Sequence, residues 1–184
     1  MREPLNQFDL TYFRAIHLGW HSPSLDILFL LLSWIGLGGM QAGCALIFLL
    51  WPQTRSYVAP LVVTIAVSGL AVAQTIKTFF PRDRPSNLYF AFPQEAVKFG
   101  SFPSGHTTTS FACAMMLTLL VPRHQARWVA PLSFTIAMAV GVSRIYRGVH
   151  WPSDVLGGAF AGTASSALIY WVWRLREPAP DAPI

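Results

Sequence analysis

Two histidines carry the most specific chemical signal in the sequence. His150 precedes Asp154 by four residues, a spacing that lets a carboxylate at the start of a helix reach one nitrogen of the imidazole ring. That contact fixes the tautomer and leaves the other ring nitrogen free to act as a nucleophile. His106 lies in a second polar segment, where a protonated imidazole can donate a proton to a departing oxygen. The pair predicts nucleophilic catalysis by His150 with His106 as the acid.

Basic residues and a helix start accompany the histidines and predict the ligand. Lys77, Arg84 and Arg144 lie in or beside the same polar segments, and their charges repel one another unless a multiply charged anion binds between them. Arginine matches phosphate with a planar fork of donors, and lysine supplies a point charge. Ser104 and Gly105 open a predicted helix, whose free backbone N–H groups bind anions and whose glycine lets a ligand approach closely. These residues predict a phosphoryl-binding pocket.

The same residues predict a phosphoryl transfer in two steps. His150 attacks phosphorus in line and forms a phosphohistidine, while His106 protonates the leaving oxygen; water activated by His106 then hydrolyses that intermediate. The basic side chains stabilise the equatorial oxygens throughout. The sequence holds only eight Asp and Glu residues, which do not cluster as magnesium ligands, so we expect neither a metal nor another cofactor.

The amino-acid composition predicts a membrane protein. Of the 184 residues, 53% are hydrophobic and 11% are charged, and the mean hydropathy is +0.45, whereas soluble domains carry about 25% charged residues. These values exclude a disordered chain, a collagen-like fibre and an ordinary soluble enzyme. The net charge is +5, but the basic residues are scattered, so nucleic acid is not an expected partner.

A helix needs about 20 apolar residues to cross a bilayer, and the apolar runs of this sequence predict six transmembrane helices. We expect an all-α fold in which these helices form one bundle and one domain, residues 1–184. The predicted spans lie at about 23–37, 39–51, 57–77, 104–121, 128–144 and 153–173. The stretches 52–56 and 122–127 are predicted loops. An amphipathic helix in 1–20 is expected at the membrane surface, with Arg14 toward water. The polar tail 174–184 is expected to be disordered.

The predicted topology brings the polar segments to one face of the membrane. Two spans separate the long loop 78–102 from the tight connection 145–152, so both loops lie on the same side. With both termini in the cytoplasm, the inside carries seven Lys and Arg and the outside six. Lys77, Arg84 and Arg144 on the outside have a chemical explanation. Without them, seven basic residues lie inside and three outside, which favours this orientation. We therefore expect the site on the outer, periplasmic face.

The three polar segments resemble the signature of the type 2 phosphatidic acid phosphatase (PAP2) superfamily, Lys-x6-Arg-Pro, Pro-Ser-Gly-His and Ser-Arg-x5-His-x3-Asp. Lys77 to Pro85, Pro103 to His106 and Ser143 to Asp154 keep every spacing. The resemblance implies a helical bundle with its site at the outer membrane face. It also implies the residue roles, with phosphate bound by Lys77, Arg84, Ser104, Gly105 and Arg144, and with His106 as acid, His150 as nucleophile and Asp154 as its orienting partner.

The resemblance further implies a bacterial phosphatase of lipid-linked phosphates. Undecaprenyl diphosphate, converted to the monophosphate at the periplasmic face of the inner membrane, is the first expectation, while phosphatidylglycerophosphate, phosphatidic acid and lipid A phosphates stay open. A membrane anion transporter is the alternative class, but it would place charges at mid-span, whereas nearly all charges lie at span ends on one side. Monomer and homodimer both stay open.

Other polar and aromatic residues are interpreted as structural. Three charged residues near the motifs are predicted to be non-catalytic: Arg82, Arg147 and Asp83, the last of which pairs with a neighbouring arginine or shapes its loop. Three histidines are expected at a surface or interface: His17, His21 and His124. Four tryptophans are expected to anchor the membrane interface: Trp128, Trp151, Trp171 and Trp173. Small residues every four positions predict a face packed against another helix of the chain: Gly158, Gly162 and Ser166.

Overall fold

Helices and loops make up the whole of the described chain, with no β-strand in residues 7–97 and 99–176. The structure is a computed structural model that describes those residues, so 1–6 of the expected N-terminal helix, 177–184 of the expected tail, and Lys98 lie outside it. The α-helices, in order, are α1 Gln7–Phe13, α2 Pro23–Ile35, α3 Gly38–Ala45, α4 Val58–Ala66, α5 Ala73–Phe79, α6 Gly105–Leu120, α7 Arg123–Tyr146 and α8 Pro152–Arg176. The all-α prediction is confirmed for this part of the chain.

Short π or 3₁₀ segments extend several of these helices. They are Arg14–Leu18 after α1, Leu46–Leu50 after α3, Pro52–Tyr57 before α4, Val67–Val72 between α4 and α5, and Pro85–Asn87 in the loop that follows α5. The segments around α4 and α5 join these two helices into one rod, Pro52–Phe79.

Three helices are long and apolar enough to cross a membrane by length and composition: Pro52–Phe79, Arg123–Tyr146 and Pro152–Leu175. The pair Gln7–Leu18 and Pro23–Ile35, bent by 117°, gives a fourth candidate if it counts as one span. Helix α6 has 16 residues and is therefore about 24 Å long, shorter than a hydrocarbon core of about 30 Å. In the described residues, helix length and composition thus give three candidate spans, or four with the bent pair, and do not confirm the expected six.

Two stretches predicted to be loops are helical. Residues 52–56 form the 3₁₀ turn that runs into α4, and α7 begins at Arg123 inside the predicted loop 122–127. The Pro122 carbonyl accepts the N–H groups of Gln125 at 2.8 Å and Ala126 at 3.0 Å, which starts the helix directly after the proline. The polar side chains of this first turn are exposed, so the helix begins here without burying a polar group. Residues 174–176 of the predicted tail likewise belong to α8.

Helix α6 lies at the centre of the bundle and packs most extensively on α8, then on α7. Gly158 and Gly162 of α8 face it so closely that a Cβ on Gly162 would lie 2.1 Å from the Thr108 carbonyl oxygen, and one on Gly158 would lie 2.8 Å from the Ser104 carbonyl oxygen. Ser166 is also buried. The predicted small-residue face of α8 is therefore confirmed as a contact within the chain.

The N-terminal helix folds back onto the ends of α7 and α8. Phe13 is buried, with its ring centroid 5.3 Å from that of Trp151. His17 donates from Nδ1 to the Tyr146 carbonyl at 2.7 Å and accepts the Phe92 N–H on Nε2 at 2.9 Å. The expectation of a surface or interface position is wrong for His17 and for Trp151, which are 4% and 1% exposed. Local patterns cannot reveal this because the contacts join distant parts of the chain.

Candidate active site

The three polar segments meet at one end of the bundle, where four helices begin or end. Lys77 lies in the last turn of α5, Arg84 follows it, and Arg144 lies in the last turn of α7. Ser104 caps the start of α6 by accepting the Thr107 N–H at 3.5 Å. The remaining members lie at or before helix starts: Gly105 and His106 on α6, His150 before α8 and Asp154 in its first turn.

His150 is buried, and two contacts set the orientation of its ring. Nδ1 lies 3.4 Å from Asp154 Oδ2, and Nε2 lies 3.1 Å from Arg84 Nη1. Because a guanidinium only donates, Nε2 is the accepting nitrogen and the neutral ring carries its proton on Nδ1. Burial, which outweighs the attraction of Asp154, lowers the pKa of His150 to about 4. At neutral pH the ring is uncharged with a lone pair on Nε2, the state that a nucleophile requires.

Asp154 is completely buried, and both of its oxygens accept hydrogen bonds. Oδ1 accepts from Arg82 Nη1 at 2.7 Å, and Oδ2 accepts from the backbone N–H of Trp151 at 2.8 Å and from the Ser101 hydroxyl. The contact with His150 Nδ1 is longer, at 3.4 Å. Asp154 therefore fixes the turn that carries His150 and also faces its ring.

Two buried guanidiniums supply positive charge beside His150. Arg84 donates from Nη1 to the Val149 carbonyl at 2.6 Å and from Nε to the Phe99 carbonyl at 2.7 Å. Arg144 is 1% exposed and donates to Ser33 Oγ, while its Nε has no hydrogen-bond partner among the residues that the structure describes. A buried donor is costly when unpaired, so an anionic oxygen at this place would be bound favourably.

A carboxylate from the loop after α5 reaches the same guanidinium. Both oxygens of Glu95 accept from Arg144, and Oε2 also accepts from Arg147 Nε at 3.4 Å. Burial opposes the charge on Glu95, yet the hydrogen bond and charge of Arg144, together with Arg147, hold the pKa of this carboxyl below its usual range. Glu95 thus offers Arg144 a pair of anionic oxygens, the kind of group that a phosphate also presents.

Lys77 holds the loop that leads into α6. Its Nζ donates to the Pro103 carbonyl at 2.7 Å and to the Gly100 carbonyl at 2.8 Å, and lies 3.4 Å from the Ser101 carbonyl. An ammonium has three N–H donors, so these carbonyls engage all of them. Lys77 thereby positions the backbone on the N-terminal side of Ser104.

His106 belongs to the same electrostatic environment as His150. The charges of Arg144, Glu95 and Arg84 all act on its ring. His106 lines a cavity of about 410 Å³. The other lining residues are mainly small and apolar, among them Gly36, Ile65, Gly69 and Leu70. The position of a Cβ on Gly105 has no atom within 4 Å, so the start of α6 is open to a ligand.

The described residues hold no group of three or more His, Cys, Asp or Glu side chains placed to bind a metal ion. They do combine an imidazole lone pair, a second imidazole and two buried guanidiniums at a helix start. This set has the chemical elements that transfer of a phosphoryl group to nitrogen needs.

Comparison with known proteins identifies the family. The model of the PAP2 superfamily matches residues 57–178. This chain belongs to the PAP2 superfamily. Among solved structures, Aquifex aeolicus LpxE has a similar fold, with a TM-score of 0.79, 27% identity and coverage of 93% of this chain and 99% of LpxE.

Two of the curated relatives show what this PAP2 chain is similar to. It is 38% identical over 133 residues to YbjG of Escherichia coli (strain K12), a candidate undecaprenyl-diphosphatase, across 69% of this chain and 64% of YbjG. It is 36% identical over 121 residues to a lipid A 1-phosphatase of Rhizobium etli, across 61% of this chain and 50% of that protein. In both cases the match spans less than two thirds of the relative.

The sequence does not predict the positions of several polar residues in this PAP2 site. Arg82, predicted to be non-catalytic, bonds directly to Asp154, and Glu95 and Asp9 carry no signal at all, because loop and helix packing alone brings them here. The one available hint for Arg82 is its place in the first polar segment. For Asp83 the second predicted role fits, since its carbonyl accepts the Trp151 Nε1–H at 2.9 Å and shapes the loop.

Proposed function

We propose that this PAP2 chain hydrolyses the phosphate or diphosphate ester of a membrane lipid through a phosphohistidine at His150, without a metal ion. The observation that carries the proposal is a buried, neutral imidazole whose Nε2 faces the Arg84 guanidinium. Arg144 adds a second buried cation with a free donor. A nucleophile surrounded by cations suits an anionic phosphorus centre.

In the first step, Nε2 of His150 attacks phosphorus while the bond between phosphorus and the leaving oxygen breaks. The Arg84 N–H that contacts Nε2 in the free site forms a hydrogen bond to an equatorial oxygen instead. The unpaired Nε–H of Arg144 donates to a second equatorial oxygen. His106, protonated beside the entering phosphate charge, gives its proton to the leaving oxygen. Asp154 faces the Nδ1–H and balances the positive charge that the ring gains as the N–P bond forms.

In the second step, His106 takes a proton from water, whose oxygen attacks phosphorus. The N–P bond breaks, its electron pair returns to Nε2, and inorganic phosphate leaves. Lys77, Ser104 and Gly105 complete the phosphate site in this proposal, through the charge of the ammonium and the open N-terminus of α6.

We place the chain in a bacterial inner membrane with six spans, both termini in the cytoplasm, the N-terminal helix at the membrane surface and the site on the periplasmic face. The meeting of three motif segments at one end of the bundle supports this arrangement. Helices such as α6, shorter than the hydrocarbon core, fit if the bilayer thins locally or if flanking residues reach the interface.

Undecaprenyl diphosphate is our first candidate substrate, with lipid A phosphates, phosphatidylglycerophosphate and phosphatidic acid as the alternatives. The name of the Escherichia coli relative supports the first, and that of the Rhizobium etli relative supports lipid A. The cavity beside His106 supports a lipid in either case, because its apolar lining suits an acyl or prenyl chain next to the phosphate pocket.

Phosphate release from these four lipids, measured side by side with the purified protein in detergent and EDTA, tests the proposal. We expect the fastest release from undecaprenyl diphosphate and a loss on the order of 10³-fold or more in His150→Ala. His124→Ala, which removes an exposed histidine on the first turn of α7, serves as the control. Phosphate release from none of the lipids contradicts the function, and full activity of His150→Ala contradicts the mechanism.

A further inference from the structure

Arg82 joins two buried carboxylates from different helices. Its Nη2 donates to Asp9 Oδ2 at 2.6 Å and its Nη1 to Asp154 Oδ1 at 2.7 Å. The side chains of Asp9 and Asp154 are 1% and 0% exposed, whereas that of Arg82 is 26% exposed. Two buried anions that share one cation are held in a fixed relation, since either carboxylate would be left without a cation if Arg82 were removed.

Asp9 also holds the start of α8 directly. Its Oδ1 accepts the backbone N–H of Ser153 at 2.8 Å, and its Oδ2 accepts the Ser153 hydroxyl at 2.7 Å. The same hydroxyl accepts a hydrogen bond from Arg82 Nη1 at 2.7 Å. Helix α1, the Arg82 guanidinium and the first turn of α8 therefore form one closed network.

This network determines which oxygen of Asp154 faces the nucleophile. Because Arg82 occupies Oδ1, Oδ2 is the oxygen that faces His150 Nδ1, at 3.4 Å. The long contact is weak by itself, so it depends on groups that keep the carboxylate from rotating. Without Arg82, Oδ1 would be a buried acceptor without its cation, and only the Trp151 N–H and the Ser101 hydroxyl on Oδ2 would still resist rotation of the carboxylate.

We propose that Arg82 and Asp9 are positioning residues for His150, an inference that rests on the proposed role of His150 as nucleophile. Asp9 holds Arg82, and Arg82 holds Asp154. Asp154 in turn faces Nδ1 and, together with Arg84 at Nε2, keeps the His150 proton on Nδ1 and the lone pair on Nε2. Helix α1 thus belongs to the catalytic assembly, although Arg82 and Asp9 act through Asp154 and not on the substrate.

A spectroscopic test works whether or not a substrate is turned over. ¹⁵N chemical shifts of His150 report its tautomer in the intact protein, and the Nδ1–H form is expected in the wild type. Arg82→Gln is expected to shift a detectable share of the population to the Nε2–H form, against the Arg84 contact that favours a lone pair on Nε2, and Asp9→Asn to shift a smaller share. Asp83→Asn is the matched control, since it removes a neighbouring exposed charge and should leave the tautomer unchanged.

A kinetic test separates positioning from general stability. With undecaprenyl diphosphate in detergent, Arg82→Gln is expected to lower kcat at least tenfold with KM within twofold. Added to Asp154→Asn, it should slow the enzyme no further, because its effect passes through Asp154. Asp9→Asn is expected to behave in the same way with a smaller loss, and it decides the question if Arg82→Gln does not fold.

An unchanged His150 spectrum in both variants overturns the proposal. So does a loss of kcat that multiplies with that of Asp154→Asn, or a rise in KM at constant kcat. If the wild type releases phosphate from none of the lipids, the proposed function fails, while the spectra of the variants still decide whether Arg82 and Asp9 position the His150 ring.

Discussion

The charge of His150 follows from the place of its ring in the protein. The side chain is 3% exposed, so an imidazolium would lose most of its hydration. Arg84 and Arg144 add repulsion, and Asp154 alone among the groups that act on it favours the charged form. The resting His150 ring is therefore neutral, and the adjacent carboxylate can balance the positive charge that the proposed phosphoryl transfer would place on it.

Burial of this ring predicts a loss of stability in acid. The ordinary histidine pKa of 6.5 falls to about 4 in the folded protein, so between these values the unfolded chain binds a proton that the folded chain does not. The contribution of the neutral His150 ring to the free energy of unfolding is fully present above pH 6.5 and is lost as the pH falls toward 4. At pH 5 the effect on the free energy of unfolding is about 2 kcal/mol.

Melting temperatures in detergent at pH 7.5 and pH 5 measure this effect, with His150→Gln as the reference. The wild type should lose more stability on acidification than the variant, because glutamine does not titrate. An equal fall in both proteins would mean that the ring is not held neutral by burial.

Packing of α6 on α8 sets the distance between His106 and His150, the two histidines of the proposed mechanism. His106 starts one helix and His150 precedes the other, and the backbone N–H of Ser104 donates to the Asp154 carbonyl at 3.0 Å. The glycines of α8 allow this approach, since Gly162 brings the two backbones into direct contact. The spacing of the histidines thus depends on residues far from the phosphate.

Substitution of Gly162 by alanine should therefore impair catalysis. The added Cβ would lie 2.1 Å from the Thr108 carbonyl oxygen, which forces α8 away from α6. We expect a fall in kcat/KM of about tenfold or more and a lower melting temperature. Gly43→Ala is the matched control, because a Cβ on Gly43 has no atom within 4 Å. Equal activity of the two variants would show that this contact does not set the site.

Helix type and most helix ends were accessible from the sequence because hydropathy and proline mark them. The motif residues lie at those ends, so their convergence follows from the order of helices alone. The contributions of Asp9 and Glu95 were not accessible. Asp9 contacts Ser153 across 144 positions, and Glu95 contacts Arg144 across 49, and neither contact follows from local periodicity. Trp151 was misassigned for the same reason, since α1 and Arg82 cover it.

The whole molecule combines a polar pocket at one end of the bundle with an apolar opening in its side. The cavity of about 410 Å³ is lined by α3, by α4 with the segment that follows it, and by the start of α6, including His106. A lipid can place its phosphate among the arginines and its chain along this wall. The shape thus favours substrates with an apolar tail over small soluble phosphates.

Narrowing of this cavity should select against long lipids without harming the chemistry. Ala66 lines it, so Ala66→Trp is expected to raise KM for undecaprenyl diphosphate about tenfold, while p-nitrophenyl phosphate is hydrolysed at the wild-type rate. Val63→Trp, which adds the same ring at an exposed position one turn earlier, is the control. Equal losses with both substrates would contradict a role for the cavity in binding the lipid chain.

Covalent labelling of His150, the proposed nucleophile, tests the proposed chemistry most directly. Undecaprenyl diphosphate labelled with ³²P in its terminal phosphate is mixed with the protein, quenched in alkali within the first turnover, and the peptides are mapped by mass spectrometry. We expect the label on Nε2 of His150, and none in His150→Ala. Label on His106 or on any other residue, or steady release of phosphate with no labelled protein at any time of quenching, would contradict nucleophilic attack by His150.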